Sequence, residues 1–224
     1  VSVCTPICHH AEMAIHAANH GRHVLTEKAI ALTLADADAM IAAAADAGVK
    51  LVVAYQHRTF PPHRTWRALI DRGVLQGPLF IRFEDTRGVR PKTAMHRRSM
   101  NGGPVIDMAG HFFDMVRYYT GAEPVRVTAH GHCFGATKPE LAAFDDLALD
   151  AAEVLVEYTG GHVLSTAVNW GLPAGHPGRS GGIPYGHIGV EHTLRPADLP
   201  SMRSRPWTRY AVRAAQVFAG PEAA

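Results

Sequence analysis

Apolar and polar residues alternate along positions 1–56 in a pattern that predicts strands separated by helices. Short apolar runs predict three strands at 1–5, 23–27 and 51–55, and longer periodic stretches predict helices at about 9–20 and 33–47. Thr33 is placed to cap the second helix, with Asp36 three residues later. Strands joined by helices of this length form a parallel sheet that is covered on both faces. Such sheets place their chemistry at the carboxyl ends of the strands.

The pattern changes at Pro61-Pro62, which indicates a boundary between a domain at 1–58 and a second domain at 59–224. A helix is predicted next, followed by further strands. These elements lie at 63–72 for the helix and at 79–86, 125–133, 153–158 and 162–168 for the strands.

A hairpin is predicted within the second domain, because Thr159-Gly160-Gly161 has turn composition and separates its last two predicted strands. We therefore expect an α+β domain with a mostly antiparallel sheet and helices on one face, so that the whole chain belongs to the α/β class. Beyond Gly171 the periodicity is lost until about 208–218, no sheet is assigned, and residues 175–224 are atypical.

Composition narrows the possible functions. The chain has 224 residues, is 47% hydrophobic and carries a formal net charge of +2, which is typical of a globular protein and does not favour a nucleic-acid partner. No apolar run reaches the roughly 20 residues of a membrane span, so no membrane partner is expected. Cys4, Cys8 and Cys133 form no CxxC motif, and reduced thiols indicate the cytoplasm. Because the chain opens at Val1 inside a predicted strand, we expect a fragment of a longer protein.

The stretch 103–119 carries the most informative polar residues. As one helix it places Asp107, His111, Asp114 and Tyr118 on a single face. A carboxylate four residues before a histidine can accept its ring N–H, fix the tautomer and raise its basicity, which suits proton abstraction. The alternative is a surface helix whose early Asp favours the helix N-terminus and whose His has no role.

Two cations follow predicted strands. Lys28 could polarise a carbonyl, act as a general acid or pair with a phosphate, and Arg58 could hold an anionic group. Each could equally be a solvated surface residue. The histidines near the start of the chain match no metal motif, so no metal is expected. No G-x-G-x-x-G occurs, so these residues alone do not establish a dinucleotide site.

Several motifs in order resemble the Gfo/Idh/MocA oxidoreductase family over about residues 1–170. The matching segments are Cys4-Thr5-Pro6, Gly21 to Lys28, Tyr55-Gln56-His57-Arg58, Gly102-Gly103 and Asp107-x-x-x-His111-x-x-Asp114. The resemblance implies a Rossmann domain, here partial, followed by a domain with a large, mostly antiparallel sheet. It also implies hydride transfer between NAD or NADP and a sugar, cyclitol or related alcohol.

The resemblance assigns roles to individual residues. It places six positions at the NAD(P) cofactor: Thr5, Pro6, His10, Glu27, Lys28 and Arg58. It places Lys28, Asp107 and His111 at catalytic positions, where His111, oriented by Asp107, takes the hydroxyl proton while Lys28 stabilises the reacting oxygen. The C-terminal sheet could mediate a homo-oligomer.

Three departures from the family pattern support an alternative. The family's first strand and glycine-rich turn would precede Val1, Ala29 stands where a proline is usual, and the sequence after about Gly175 differs. If the direction of Lys28 depends on that proline, we expect the lysine to point elsewhere. The alternative is a truncated, non-catalytic paralogue that acts as a binding or oligomerisation module. Substrate identity and the choice between NAD and NADP are left open.

Overall fold

The computed structural model describes residues 1–188, which form two sheets. The first is parallel, with strand order β1-β2-β3. Its elements are β1 (Ser2–Val3), α1 (His10–Asn19), β2 (Val24–Glu27), α2 (Leu34–Asp46) and β3 (Leu51–Ala54). The predicted cap is confirmed, because the Thr33 hydroxyl accepts a hydrogen bond from the backbone N–H of Asp36 at 3.1 Å.

Helices cover only one face of this parallel sheet in the described part of the chain. A small core joins the two helices to the strands through Val3, Ala14, Ala17, Val24 and Met40. On the opposite face Leu25 is 45% exposed and Val52 is 51% exposed. The prediction of two covered faces is therefore wrong for these residues. Helices α1 and α2 contact each other, so they lie on the same side of the sheet.

The second sheet has five strands in the order β5-β6-β7-β4-β8. Three of its four pairings are antiparallel, and β4 pairs in parallel with β7, so the mostly antiparallel prediction is confirmed. The strands are β4 (Leu75–Gly88), β5 (Pro124–His132), β6 (Ala151–Tyr158), β7 (Val163–Leu172) and β8 (Arg179–Ile188). The predicted hairpin is also confirmed, because Gly160 and Gly161 turn between β6 and β7 with φ of 74° and 78°.

Two of the three described helices of the second unit, α3 and α5, pack against strands of this sheet. The three helices are α3 (Pro61–Asp71), the short α4 (Arg98–Asn101) and α5 (Gly110–Thr120), which follows a π-helical turn at Val105–Ala109. The core is centred on Phe83 of β4 and Phe112 of α5, whose rings stack at 4.9 Å with an interplanar angle of 3°. No helix among residues 1–188 is both long and apolar enough to span a bilayer.

Residues Arg179–Ile188 form strand β8, so the expectation of no sheet beyond Gly171 is wrong. Its Gly181-Gly182 pair and Pro184 lower β propensity, but the strand lies at a sheet edge, where proline is tolerated. A side chain at Gly182 would overlap the Phe83 ring and the Arg82 carbonyl, so the missing side chain allows β8 to approach β4 closely. The periodic stretch at 208–218 lies outside the described residues.

The segment predicted as one helix at 104–119 is divided in two. A π-helical turn holds Asp107, and α5 begins at Gly110 and holds His111 and Asp114. These three residues are 3–7% exposed, which excludes the surface-helix alternative. A π-helical turn contains an extra residue and occurs frequently at functional sites.

Candidate active site

Lys28 and Asp107 form the contact on which the site is built. Lys28 follows β2, and its Nζ donates hydrogen bonds to Asp107 Oδ1 at 2.8 Å and to the Asp107 carbonyl oxygen at 2.5 Å. The Lys28 and Asp107 side chains are only 13% and 9% exposed. The Lys28–Ala29 peptide bond is cis. The carboxyl edge of the parallel sheet therefore meets the π-helical turn of the second unit, and Lys28 is not a solvated surface residue.

Asp107 does not orient His111 as the sequence analysis expected. Within residues 1–188 no hydrogen bond joins the two side chains, and His111 Nδ1 is buried without a hydrogen-bond partner. The Asp107 carboxylate lies against the Lys28 ammonium, to which it is bound more strongly than to a neutral ring. The expected carboxylate–histidine pair is replaced by a lysine–carboxylate pair beside a histidine.

Three histidine rings form a column at the site, which the sequence analysis missed. The His57 ring stacks on His111 at 3.9 Å with an interplanar angle of 10°, and on His63 at 5.6 Å and 13°. The Nδ1 atom of His63 lies 2.6 Å from the buried Tyr119 hydroxyl. Tyr55 meets His111 edge to face at 6.1 Å. The available signals were His57 in the matching segment Tyr55-Gln56-His57-Arg58 and the recurrence of histidine after Pro61-Pro62, which has no helical or strand period.

Burial makes the column histidines neutral at pH 7. It lowers the pKa of His111 to about 3, with further lowering by His57, Lys28 and His63. It lowers the pKa of His63 to about 4, with His57 contributing, and it also lowers the pKa of His57, with Lys28 contributing. The lowered pKa leaves the His111 imidazole neutral, with a lone pair that can accept a proton, and makes it a weaker base than an exposed histidine.

The Arg58 guanidinium is bound by the carboxylate of Asp114. The guanidinium donates two hydrogen bonds to Asp114, from Nε to Oδ2 at 2.8 Å and from Nη2 to Oδ1 at 2.5 Å. It also lies over the Tyr118 ring at 5.6 Å. The hydrogen bond to Asp114 raises the pKa of Arg58. Asp114 and Tyr118 thus share the face that the spacing indicated, and they hold the arginine that follows β3.

The remaining predicted cofactor positions lie near the carboxyl ends of β1 and β2. The Thr5 hydroxyl is buried and has no hydrogen-bond partner within residues 1–188. Pro6 precedes the short 3₁₀ turn Ile7–His9 that leads into α1. The Glu27 carboxylate accepts a hydrogen bond from the Lys28 backbone N–H at 3.3 Å. These positions lie at the carboxyl ends of the neighbouring strands β1 and β2.

His10 contacts the backbone of both strand ends. It is fully buried, with Nδ1 2.9 Å from the Ala29 carbonyl oxygen and Nε2 3.0 Å from the Thr5 carbonyl oxygen. It therefore supports the loop that carries Lys28. In the described part of the chain, no group of three histidine, cysteine, aspartate or glutamate side chains is arranged to hold a metal ion.

The half-covered parallel sheet, the mixed sheet and the Lys28–Asp107–His111 cluster define a two-unit α/β protein with a site between its sheets. Residues 1–55 match the family model described as an oxidoreductase family with an NAD-binding Rossmann fold, and residues 63–183 match the GFO/IDH/MocA C-terminal domain. The chain belongs to the GFO/IDH/MocA family.

Individual relatives agree with this membership. The chain is 27% identical over 199 residues to scyllo-inositol 2-dehydrogenase (NAD(+)) of Bacillus subtilis, covering 86% of this chain and 56% of that protein. It is 30% identical over 161 residues to myo-inositol 2-dehydrogenase of Thermotoga maritima, covering 72% and 46%. The structure of a levoglucosan dehydrogenase in complex with NADH and levoglucosan matches with a TM-score of 0.73 at 26% identity, covering 83% and 51%. The chain spans about half the length of these relatives.

Proposed function

We propose that this chain supplies the catalytic residues of an NAD(P)-dependent dehydrogenase that acts on a sugar, cyclitol or related alcohol. The observation that carries the proposal is the buried Lys28–Asp107 pair beside the neutral His111. It combines a cationic donor for a developing oxyanion with a base for a hydroxyl proton. Relatives named for inositol and levoglucosan support an alcohol on a ring as the substrate class.

The residues at the strand ends fit a nicotinamide cofactor. A buried Thr5 hydroxyl without a partner needs a hydrogen-bonding group, and Pro6 and Glu27 lie beside it at the polar strand ends. We assign these three residues and Lys28 to the cofactor side of the site. Arg58 and His10 support it indirectly, because their polar atoms already bind Asp114 and backbone carbonyls. A bound cofactor supplies the ring that accepts hydride.

The chain's own residues handle the proton and the charge. Lys28 Nζ donates a hydrogen bond to the substrate oxygen as the O–H bond breaks, and His111 accepts that proton. The carbon then loses hydride with its electron pair, and the oxygen–carbon bond becomes a carbonyl. Asp107 keeps the ammonium of Lys28 in place through a 2.8 Å contact.

The alternative module, which binds or oligomerises without catalysis, is favoured by one observation. Strand β5 exposes apolar side chains: Val127 is 60% exposed on the face that it shares with the buried Val156 of β6, and Val125 is 68% exposed. A face of this kind can pair with a second copy, so we also propose a homo-oligomer through the second sheet. Cys4, Cys8 and Cys133 are free, which agrees with the cytoplasm as the proposed location.

The test is cofactor binding followed by turnover. NADH is titrated into the purified chain and its fluorescence is recorded, and myo-inositol and glucose are then supplied with NAD or NADP. Lys28→Met and His111→Ala should abolish turnover, whereas the exposed Lys50→Met should not. Saturable binding with turnover supports the proposal. The absence of NADH binding by the folded chain would refute the dehydrogenase proposal and would favour the non-catalytic module.

A further inference from the structure

A cavity lies away from the Lys28–Asp107–His111 site. It has a volume of about 680 Å³ and opens where β4 ends, between the segment that follows β4 and the loop that joins β7 to β8. Its lining includes the cationic or polar side chains of Arg87, Arg90, His176 and Arg179, with Glu140 as the carboxylate. The volume is in the range of small-molecule sites. No residue of the proposed catalytic cluster lines it.

Two of the three cavity arginines are already paired. Arg87 donates to the fully buried Asp85 carboxylate through Nε at 2.7 Å and Nη2 at 2.8 Å. Arg179 pairs with Glu84. These two arginines are neutralised by the protein and leave little attraction for a further anion.

Arg90 differs from both. Within residues 1–188 it has no carboxylate partner, and its Nε is buried without a hydrogen-bond partner. Its guanidinium lies over the ring of Trp170 at 6.0 Å, and Trp170 is only 2% exposed. The His96 ring accepts a hydrogen bond from the Arg90 backbone N–H at 3.0 Å. The Arg90 guanidinium therefore rests on the buried Trp170 ring, and its buried Nε–H has no hydrogen-bond acceptor within the described residues. Buried N–H donors in proteins usually have an acceptor.

His176 offers a second donor to the cavity. Its Nδ1 accepts a hydrogen bond from the Gly178 backbone N–H at 3.0 Å, so a neutral ring carries its proton on Nε2. Hydroxyl side chains complete the lining at Thr86, Thr93 and Ser180. The cavity thus combines one unpaired cation, Arg90, and one carboxylate, Glu140, with several neutral hydrogen-bonding groups.

We propose that this cavity binds the carboxylate of a small hydroxylated acid, such as a sugar acid, through Arg90. The planar guanidinium fork matches a carboxylate, and one unpaired cation balances one negative charge better than the two charges of a phosphate. The hydroxyls and His176 would bind the ligand's hydroxyl groups. Glu140 opposes the anion and tunes its affinity. The inference does not depend on dehydrogenase activity, because the cavity shares no residue with that site.

The experiment measures binding without nicotinamide cofactor. Sodium glucuronate, glucose and inorganic phosphate are titrated separately into the ¹⁵N-labelled chain at constant ionic strength, and arginine Nε–H and tryptophan Nε1–H signals are followed by NMR. We expect saturable shifts of the Arg90 and Trp170 signals with glucuronate, and much weaker binding of glucose and phosphate.

Variants test the residue assignment. Arg90→Gln should weaken glucuronate binding at least about tenfold, because a charge-assisted pair is lost. Glu140→Gln should strengthen it, and Arg82→Gln, an exposed arginine of β4 outside the cavity, should leave it unchanged. An unchanged midpoint of urea unfolding shows that each variant is folded.

Three results would overturn the proposal: no glucuronate binding by the folded chain, equal binding by Arg90→Gln, or phosphate binding as tight as glucuronate binding. A failure here would leave the NADH result unaffected, and a failure to bind NADH would leave this result unaffected.

Discussion

Breaking the Lys28–Asp107 pair on one side should destabilise the protein more than removing both charges. The two side chains are 13% and 9% exposed, so each charge has lost most of its hydration. In Asp107→Leu the Lys28 ammonium keeps only the carbonyl oxygen of residue 107, at 2.5 Å in the native chain. Leaving one partner of a buried pair unpaired costs about 3–5 kcal/mol, and the remaining carbonyl contact brings the expected cost to about 2–4 kcal/mol.

The double variant Lys28→Met with Asp107→Leu removes both buried charges. Because an apolar pair of similar volume often replaces a buried ion pair without loss, we expect it to cost less than about 1 kcal/mol. The free energy of unfolding is measured by urea titration followed by tryptophan fluorescence. The control is Glu123→Gln, which removes the exposed Arg117–Glu123 pair and should cost less than about 0.5 kcal/mol.

The reasoning fails if the two single changes add up to the cost of the double change. Additivity would mean that Lys28 and Asp107 do not interact in solution, and the assignment of Asp107 as the residue that holds Lys28 would be lost.

Three further predictions concern stability. His63 has a pKa of about 4 when folded against about 6.5 when unfolded, so the unfolded state binds more protons as the pH falls from 6.5 towards 4. The free energy of unfolding should therefore drop by about 2 kcal/mol between pH 7 and pH 5 because of His63. The variant His63→Phe should remove that part of the pH dependence. Phe83→Ala should cost about 3–5 kcal/mol in urea titration, whereas Phe80→Ala, 58% exposed on the same strand, should cost far less; equal costs would contradict the assigned core face. Gly103→Ala should lower the melting temperature, because its φ is 87° and a side chain would overlap its neighbour, whereas Gly110→Ala has open space and should not lower it.

Local signals predicted much of the fold. The Thr33 cap, the turn at Gly160-Gly161 and the strand–helix alternation depend on residues close in sequence, and each appears in the structure. Strand β8 could not be predicted in this way. Its glycines and Pro184 oppose a strand locally, and the pairing with β4, about a hundred residues away, outweighs that preference.

The sequence predicted which residues belong to the site better than it predicted which of them contact each other. Spacing indicated Asp107 and His111, and strand ends indicated Lys28, but the partner of each depends on tertiary approach. Lys28 and Asp107 are 79 residues apart, and the contact between them decides that His111 is left without the carboxylate. His57 lies on the ring of His111 for the same reason. The periodicity of apolar residues predicts which face of a helix or strand a residue occupies, but it does not predict which other element packs against that face.

The π-helical turn at Val105–Ala109 separates two tasks along one continuous stretch of chain. Its extra residue gives Asp107 a direction of its own, towards Lys28, while α5 keeps the direction that its packing against the sheet requires. Substitutions along α5 can therefore reshape the surroundings of His111 without moving the lysine–carboxylate pair. A single-residue deletion in the turn would restore a regular helix. The directions of Asp107 and of α5 would then be fixed relative to each other.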